Sequence, residues 1–321
     1  MDKQIAIIIP TYKARATLGR TLASIEIQTI KDKIQVYVVD DCDGLDYSDI
    51  IDKYDLDITF LVRPENGGCG MARQYGMDNS TEPYYMFVDA DDTLASSLAA
   101  EILLSHAKAN NSDLVCGAFE NDVRRDGKFF INITNESVTW MHGKLIKREF
   151  VDKHNIRFVE GLRTNEDVLW NQTFLAYNPK AHTVDKVCYS WLYNETSITR
   201  AKSPETRFNV LYDFVAMNDG FIQECIKRDL LDNEIAQAFI ANGVVVNYIY
   251  LQELYDTYDE AHIEKYIERC REYYKNSLSK CEYFLTDALV TRAYGNAMKS
   301  PEFSFRVPTI SLQDFVAKMR E

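Results

Sequence analysis

The sequence predicts an α/β fold, with a mostly parallel sheet flanked by helices and then a helical C-terminal region. Three observations carry that expectation. Strand-like and helix-like segments alternate through the first 120 residues, as in repeated βαβ units. The strand-like runs are apolar at consecutive positions, as in strands buried on both faces. From Ser203 onward apolar residues recur at helical spacing, as in Phe208, Leu211, Tyr212 and Val215.

In chain order, "IAIIIP" is a β-branched opening strand, and residues 17–28 bring Leu18, Leu22 and Ile25 to one helical face. "IQVYVVDD" is the second strand, "YSDIIDKY" a short helix and "DITFLVR" the third strand. A glycine cluster leads into a helix at "GMARQYGMDN", and "YYMFVDADD" is the fourth strand. Residues 98–110 form a helix and "DLVCGAF" the fifth strand. Beyond Phe119, "KFFINIT" and "ESVTWMHGKLIK" read as β-structure, residues 167–176 as a helix, and "HTVDKVCYSWLY" as a strand. The chain topology would bring Pro10-Thr11-Tyr12, Asp40-Asp41 and Asp89-x-Asp91-Asp92 to one sheet edge. Ligands bind at that edge in open α/β folds.

Composition narrows the class. A chain of 321 residues with 46% hydrophobic and 26% charged content is that of a soluble globular protein. A formal net charge of −13 speaks against general affinity for nucleic acid or anionic membrane. Seven cysteines without a CxxC pair suggest neither a disulfide framework nor a zinc knuckle. No secretory signal precedes the first strand and no stretch is apolar enough to span a bilayer, so a reduced, cytoplasmic setting is expected.

The acids ending the fourth strand pose the chemical question, because like charges repel and burial penalises them. A hard divalent cation wants such oxygens and takes phosphates and waters as its other ligands. An isolated D-x-D serves equally as the acidic cap of a helix. Asp40-Asp41 ends the second strand, where an acid can accept from a nucleoside or simply close a turn. "ENGGCGMARQYG" combines glycines with a helix start that offers N–H groups to an anion, and Arg73 is placed to pair with a phosphate or with Asp41. The spacing is neither a P-loop nor G-x-G-x-x-G. In "EGLRTNEDVLW", Glu166 and Asp167 precede an apolar helix. They are either a cap or a general base, since a carboxylate at a helix N-terminus should stay ionised at neutral pH.

Taken in order, these segments resemble family 2 glycosyltransferases of the GT-A fold. "IIIPTYKARATLGRTLASIEIQT" resembles the family's opening strand, turn and helix, with Lys13 where Asn is common. "VVDDCDG" is similar to V-D-D-G-S, "NGGCGMARQYGM" to N-x-G-x-x-x-A-R-N-x-G, and "FVDADD" to F-x-D-x-D-D. "GKLIKREF" and "RFVEGLRTNEDVLW" resemble two later segments, and "SITR" at 197–200 a third. The likeness covers about residues 4–200 and leaves the C-terminal third outside.

The resemblance implies a nucleotide-sugar-binding and catalytic domain over 1–200 and a helical region over 201–321 for acceptor binding or oligomerisation. It implies that Asp41 binds the uracil ring, with Pro10, Thr11, Tyr12, Asn66, Gly67 and Arg73 around base and ribose. Asp89 would contact the ribose or donor sugar, and Glu166 would stand beside it. Asp91 would hold Mn²⁺ or Mg²⁺ on the diphosphate, and Asp167 would be the catalytic base. Some relatives supply a metal-binding histidine near the "SIT" segment; none is present here, and His142 and His182 are the nearest. The implied reaction is inverting transfer of a hexose-type sugar from a UDP-sugar to a hydroxyl acceptor, a surface glycan or glycopolymer. The rivals are transfer to a hydroxymethylated base in DNA, which the net charge disfavours, a metal-dependent nucleotidyltransferase, and a non-catalytic nucleotide-sugar-binding module. In the region from 203, Tyr248, Leu251, Leu254, Tyr255 and Tyr258 form a helical stripe that would be either core or a surface for self-association into a homo-oligomer.

Overall fold

The computed structural model describes residues 2–125, 128–135, 140–194, 203–299 and 308–321. The chain forms two compact units, one of residues 1–174 and 178–197, the other of 175–177 and 198–321. The "SITR" segment lies outside the described residues.

The first unit is built on one mixed sheet. β1 (Ile5–Thr11), β2 (Ile34–Asp40), β3 (Ile58–Val62) and β4 (Tyr84–Phe87) pair in parallel in the order β3-β2-β1-β4. The sheet continues through β8 (Lys144–Lys147), β6 (Leu114–Arg125), β9 (Ala181–Trp191) and β5 (Thr93–Leu94), with β7 (Lys128–Thr134) paired to β6. β6 pairs in parallel with β9, and β8, β5 and β7 join antiparallel. Two boundaries differ from the sequence reading. The fifth strand of that reading runs on to Arg125 and folds back as a hairpin with β7. Of the segment "ESVTWMHGKLIK", the described residues 140–143 are not strand, and β8 begins at Lys144. Before it, Gly143 turns at φ +65° and its carbonyl accepts the Gly117 N–H at 2.8 Å, which interrupts the ladder.

The helices pack as the apolar spacing demands. β1 is buried at every position, and Ile5, Ile7 and Ile9 lie in one core with Leu18, Leu22 and Ile25 of α1 (Leu18–Glu26). That core also takes Leu103 and Leu104 of α4 (Ala99–Asn110), whose end is set by Asn111 in the left-handed conformation. Two further helices frame the site below, α3 (Gly68–Asp78) and α6 (Glu166–Ala176). At the end of β4, Phe87 meets Phe158 and Trp170 edge-on at 5.9 and 6.2 Å. Phe158 stacks on Trp170 at 5.6 Å, and these rings fix α6 against the carboxyl end of β4. Strands β2 and β4 flank β1 on opposite sides, so the crevice between them is the topological switch point of the parallel segment.

The second unit is helical, and each long helix opens on a capping side chain: Ser203 before α7 (Pro204–Lys227), Asn233 before α8 (Glu234–Thr257) and Asp259 before α9 (Glu260–Asn276). Tyr248, Leu251 and Leu254 are buried inside this unit, so most of the stripe the sequence offered to a partner is spent on its own core. Among the described residues no helix is long and apolar enough to cross a membrane.

Leu22 is fully buried and Ile27, five residues on, is 61% exposed. Leu22→Ala is expected to cost about 2–5 kcal/mol and Ile27→Ala less than about 0.5 kcal/mol in urea unfolding. Equal costs would contradict the packing of α1.

Candidate active site

The carboxyl ends of β1 and β2 are tied together, with Thr11 opposite Asp40 in register and the Asp41 N–H donating to the Thr11 carbonyl at 2.9 Å. Thr11 is buried, and its hydroxyl donates back to the Ile9 carbonyl at 3.2 Å. Pro10 lies inside the strand and Tyr12, 51% exposed, stands at its mouth. Lys13 follows at φ +52°, a left-handed position that asparagine tolerates better than lysine.

Asp41 is buried and organises the glycine loop. Its carboxylate pairs with Arg63 and accepts the N–H of Gly67 at 3.0 Å and of Gly68 at 2.7 Å. Asn66 donates its side-chain amide to the Asp41 carbonyl at 3.0 Å. This corrects two expectations. The N–H groups of Gly67 and Gly68, offered by the sequence to an anion, go to the protein's own carboxylate. Arg73 does not pair with Asp41; Arg63, from the end of β3, takes that place.

Arg73 turns the other way. Its guanidinium is buried, with one terminal nitrogen 2.6 Å from Asp89 Oδ1 and the other 2.8 Å from Glu166 Oε1. Both terminal nitrogens thus meet carboxylates. The approach of α3 to α6 requires Gly70, because a Cβ there would lie 2.7 Å from Glu166 Cγ. Arg73 thus joins Asp89 to Glu166, and Asp167 follows Glu166 on α6.

His142, which the sequence offered only as one of the histidines nearest the "SIT" segment, lies just before β8. Its Nε2 is 3.9 Å from Asp89 Oδ2, its ring stacks on Tyr189 at 4.7 Å, and its buried Nδ1 has no hydrogen-bond partner among the described residues. Nothing in its spacing distinguished it, since the segment read as one strand. Tyr189 donates to Asp92 Oδ2 at 2.6 Å and accepts the Asp89 N–H at 3.2 Å, fixing the acidic turn. Asp91 is set apart, with Oδ2 accepting from the Asn194 amide at 2.7 Å. Lys144 is fully buried and donates to Asn171 Oδ1 at 2.9 Å; burial lowers it to about 8.

Asp89, Asp92 and His142 each present a ligand atom, and these atoms lie within 4.8 Å of one another. Oxygen donors with one imidazole suit a divalent cation such as Mn²⁺, and the acids alone suit Mg²⁺. The orphaned Nδ1 of the buried His142 shows that this ring's polar atoms are not consumed by the fold. The donor set therefore fits such an ion.

Burial and neighbours spread the carboxyl groups apart in acidity. Burial alone would raise Asp89, but Arg73 and then His142 hold it well below the usual carboxylate range. Burial, reinforced by Asp89 and Asp91, pushes Asp92 well up. Glu166 is raised to about 7 by burial and by the adjacent Asp167, with Arg73 opposing. Asp167 is also raised, chiefly by burial, against the pull of Arg73 and His142. Desolvation thus raises both acids although they stand at a helix start, and Glu166, at about 7, is not fully ionised at neutral pH as the sequence led one to expect.

The raised Glu166 has a stability consequence. Between its usual 4.5 and about 7 the unfolded chain has lost this proton and the folded chain keeps it. Stability contributed by Glu166 is therefore lost as pH rises across that interval. Glu166→Gln should flatten the fall of the urea midpoint over that range. An unchanged slope would place the titration elsewhere.

Comparison with known proteins follows from this geometry. The model of the family "Glycosyl transferase family 2" matches residues 6–162. The "Poly(ribitol-phosphate) beta-N-acetylglucosaminyltransferase TarP" of Staphylococcus aureus (strain N315) is 29% identical over 198 residues, 57% of this chain and 60% of that protein. The "Cholesterol galactosyltransferase" of Borreliella burgdorferi is 26% identical over 260 residues, 72% of this chain and 70% of that protein. The solved structure of S. aureus TarS 1–349 in complex with UDP superposes with a TM-score of 0.67 at 16% identity, over 96% of this chain and 94% of that one. A second TarS structure, in complex with UDP-GlcNAc, gives 0.65 at 17% over 96% and 95%. At such identities the likeness is one of fold, here the GT-A fold with its helical extension. Residues 6–162 thus match glycosyl transferase family 2, the family whose motifs the sequence resembles, and the chain spans about 60% of the length of TarP.

Proposed function

We propose that the enzyme transfers a hexose-type sugar from a UDP-sugar to a hydroxyl of a glycopolymer, with inversion and with Mn²⁺ or Mg²⁺. One observation carries the reading: Arg73 joins Asp89 at the strand edge to Glu166 beside Asp167, so that metal-competent acids and a candidate base share one site. The relatives' named activities and the UDP and UDP-GlcNAc of the TarS structures support the donor class, and the poly(ribitol-phosphate) named for TarP supports a polymeric acceptor.

In this reading the uridine lies over Pro10, Thr11, Tyr12, Asn66 and Gly67. Asp41 accepts the uracil N3–H with the lone pair left after its three protein contacts. Asp89, kept ionised by Arg73, accepts from ribose or donor-sugar hydroxyls, and Glu166 steadies Arg73 from the other side. Asp91 would hold the cation, and Asp89, Asp92 and His142, whose ligand atoms lie within 4.8 Å of one another, are a neighbouring set of donors that could hold it instead; a cation there would supply positive charge for the departing diphosphate. Asp167 removes the proton from the acceptor hydroxyl. That oxygen bonds to the anomeric carbon as the bond to the diphosphate oxygen breaks on the opposite face, and UDP leaves. A carboxylate raised by burial is a stronger base when ionised than an exposed one, which suits this task.

Residues 1–200 take the donor-binding and catalytic role, and 201–321 acceptor binding or self-association. Sedimentation of the full chain at micromolar concentration separates the last two, since a monomer leaves acceptor binding. Seven free cysteines support a reducing, cytoplasmic setting.

Asp167→Asn should lower kcat by roughly 10²–10⁴ with UDP-sugar affinity nearly unchanged. A parallel loss of affinity in calorimetry would make Asp167 a donor ligand. UDP release from a panel of nucleotide sugars with Mn²⁺ should stop on adding EDTA, and Asp91→Ala should weaken UDP-sugar binding. Full turnover in EDTA would remove the cation from the mechanism.

A further inference from the structure

Arg63 is a buried arginine whose guanidinium meets, among the described residues, one carboxylate, that of Asp41. Its backbone N–H donates to the Asp40 carbonyl at 2.9 Å. That bond carries the pairing of β2 with β3 one residue beyond the strand and brings position 63 alongside the end of β2.

Gly67 lies against the guanidinium. A Cβ there would fall 2.5 Å from Nη1 and 2.8 Å from Nη2 of Arg63. The backbone of Gly67, at φ −128°, is one that residues with side chains also adopt. The missing side chain is therefore required by Arg63 and not by the turn, so loop and guanidinium are fitted to each other.

Asp41 is left with one open acceptor direction. A carboxylate has about four lone-pair directions, two on each oxygen. Arg63 Nη1 and the Gly67 N–H both point at Oδ1, and the Gly68 N–H takes one direction on Oδ2. The remaining one is on Oδ2. Uracil presents an N3–H donor between two carbonyls. Cytosine presents a bare N3 lone pair between a carbonyl and an amino group. An acceptor is satisfied by the first and repelled by the second. That discrimination lasts only while the carboxyl group does not itself donate. A guanidinium against a buried carboxyl group favours the ionised, acceptor-only form, whereas burial without a cation favours the protonated form, which donates as well.

We propose that Arg63 is a specificity-determining residue: it fixes Asp41 as an acceptor with its single opening on Oδ2, so that a uracil base is taken and a cytosine base refused. The inference rests on the reading of Asp41 as the contact to the base, and it adds what makes that contact selective. Arg63 acts through Asp41 and is a positioning residue.

Calorimetry of the full chain with UDP and with CDP, at one fixed Mn²⁺ concentration, gives the ratio of the two affinities for wild type, R63K, R63Q and G67A. The diphosphate and the cation are common to both ligands and cancel in that ratio. Wild type is expected to prefer UDP by roughly 10-fold or more, the worth of a hydrogen bond to a charged group. R63Q should lose most of that preference, to below about 3-fold, and R63K, which keeps a charged donor, should retain it. G67A leaves the arginine in the chain but puts a methyl group where the guanidinium lies, so its ratio should fall as well. An unchanged ratio in R63Q, with UDP and CDP weakened in equal proportion, would overturn the proposal, since a merely structural ion pair predicts it. If thermal unfolding shows that R63Q does not fold, an unchanged ratio in G67A decides against the proposal instead. Wild-type protein that binds UDP and CDP alike overturns it and leaves the nucleotide-sugar reading in place. Wild-type protein that binds neither overturns that reading as well.

Discussion

The guanidinium of Arg73 sits between Asp89 and Glu166, and the arrangement of the site depends on it. Three acids from two distant parts of the chain converge in a buried space, where their mutual repulsion is poorly screened. One fixed cation with a forked geometry offsets that repulsion and sets the spacing of its partners. It does not act equally on them. Asp89 is driven low because Arg73 and His142 both favour its charge, whereas Glu166 rises to about 7 because burial and Asp167 outweigh the same arginine. Removal of the guanidinium would leave buried acids uncompensated, a larger loss than the pair itself contributes.

Arg73 in turn is placed by a chain of local constraints. Arg63 and Asp41 form a buried pair at the ends of β3 and β2. Asp41 then gathers the N–H groups of Gly67 and Gly68 and fixes where α3 begins. Gly70, without a side chain, lets the helix approach Glu166 closely enough for Arg73, one turn later, to reach it. A glycine cluster that resembles an anion cradle is here the mount for an arginine.

The acidic turn after β4 is held from both sides. Helix α1 gives its apolar face to the core and a polar edge to the turn. Thr21 donates to the Asp92 carbonyl at 2.8 Å, Arg20 donates to the Asp91 carbonyl, and Ser24 accepts the Leu94 N–H at 3.1 Å. From β9, Tyr189 engages both Asp89 and Asp92. Acids crowded in a loose loop would spread apart; these have their backbone fixed by neighbours, which keeps the carboxylates converged before any cation or sugar arrives.

The sequence alone determined the local features. The consecutive apolar residues of β1 and β2 define buried strands, the spacing of Leu18, Leu22 and Ile25 defines a helix face, and the order of the acidic and glycine motifs defines the family. Each depends on residues close together in the chain, where period and propensity act. Only the tertiary structure decided which charges meet. That Arg63 and not Arg73 holds Asp41, that His142 stands beside Asp89, and that the stripe around Tyr248 faces inward depend on strand order and on contacts between residues far apart in sequence. The same holds for acidity: composition places Asp89 and Asp92 in one class, and their different burial and neighbours send one down and the other up.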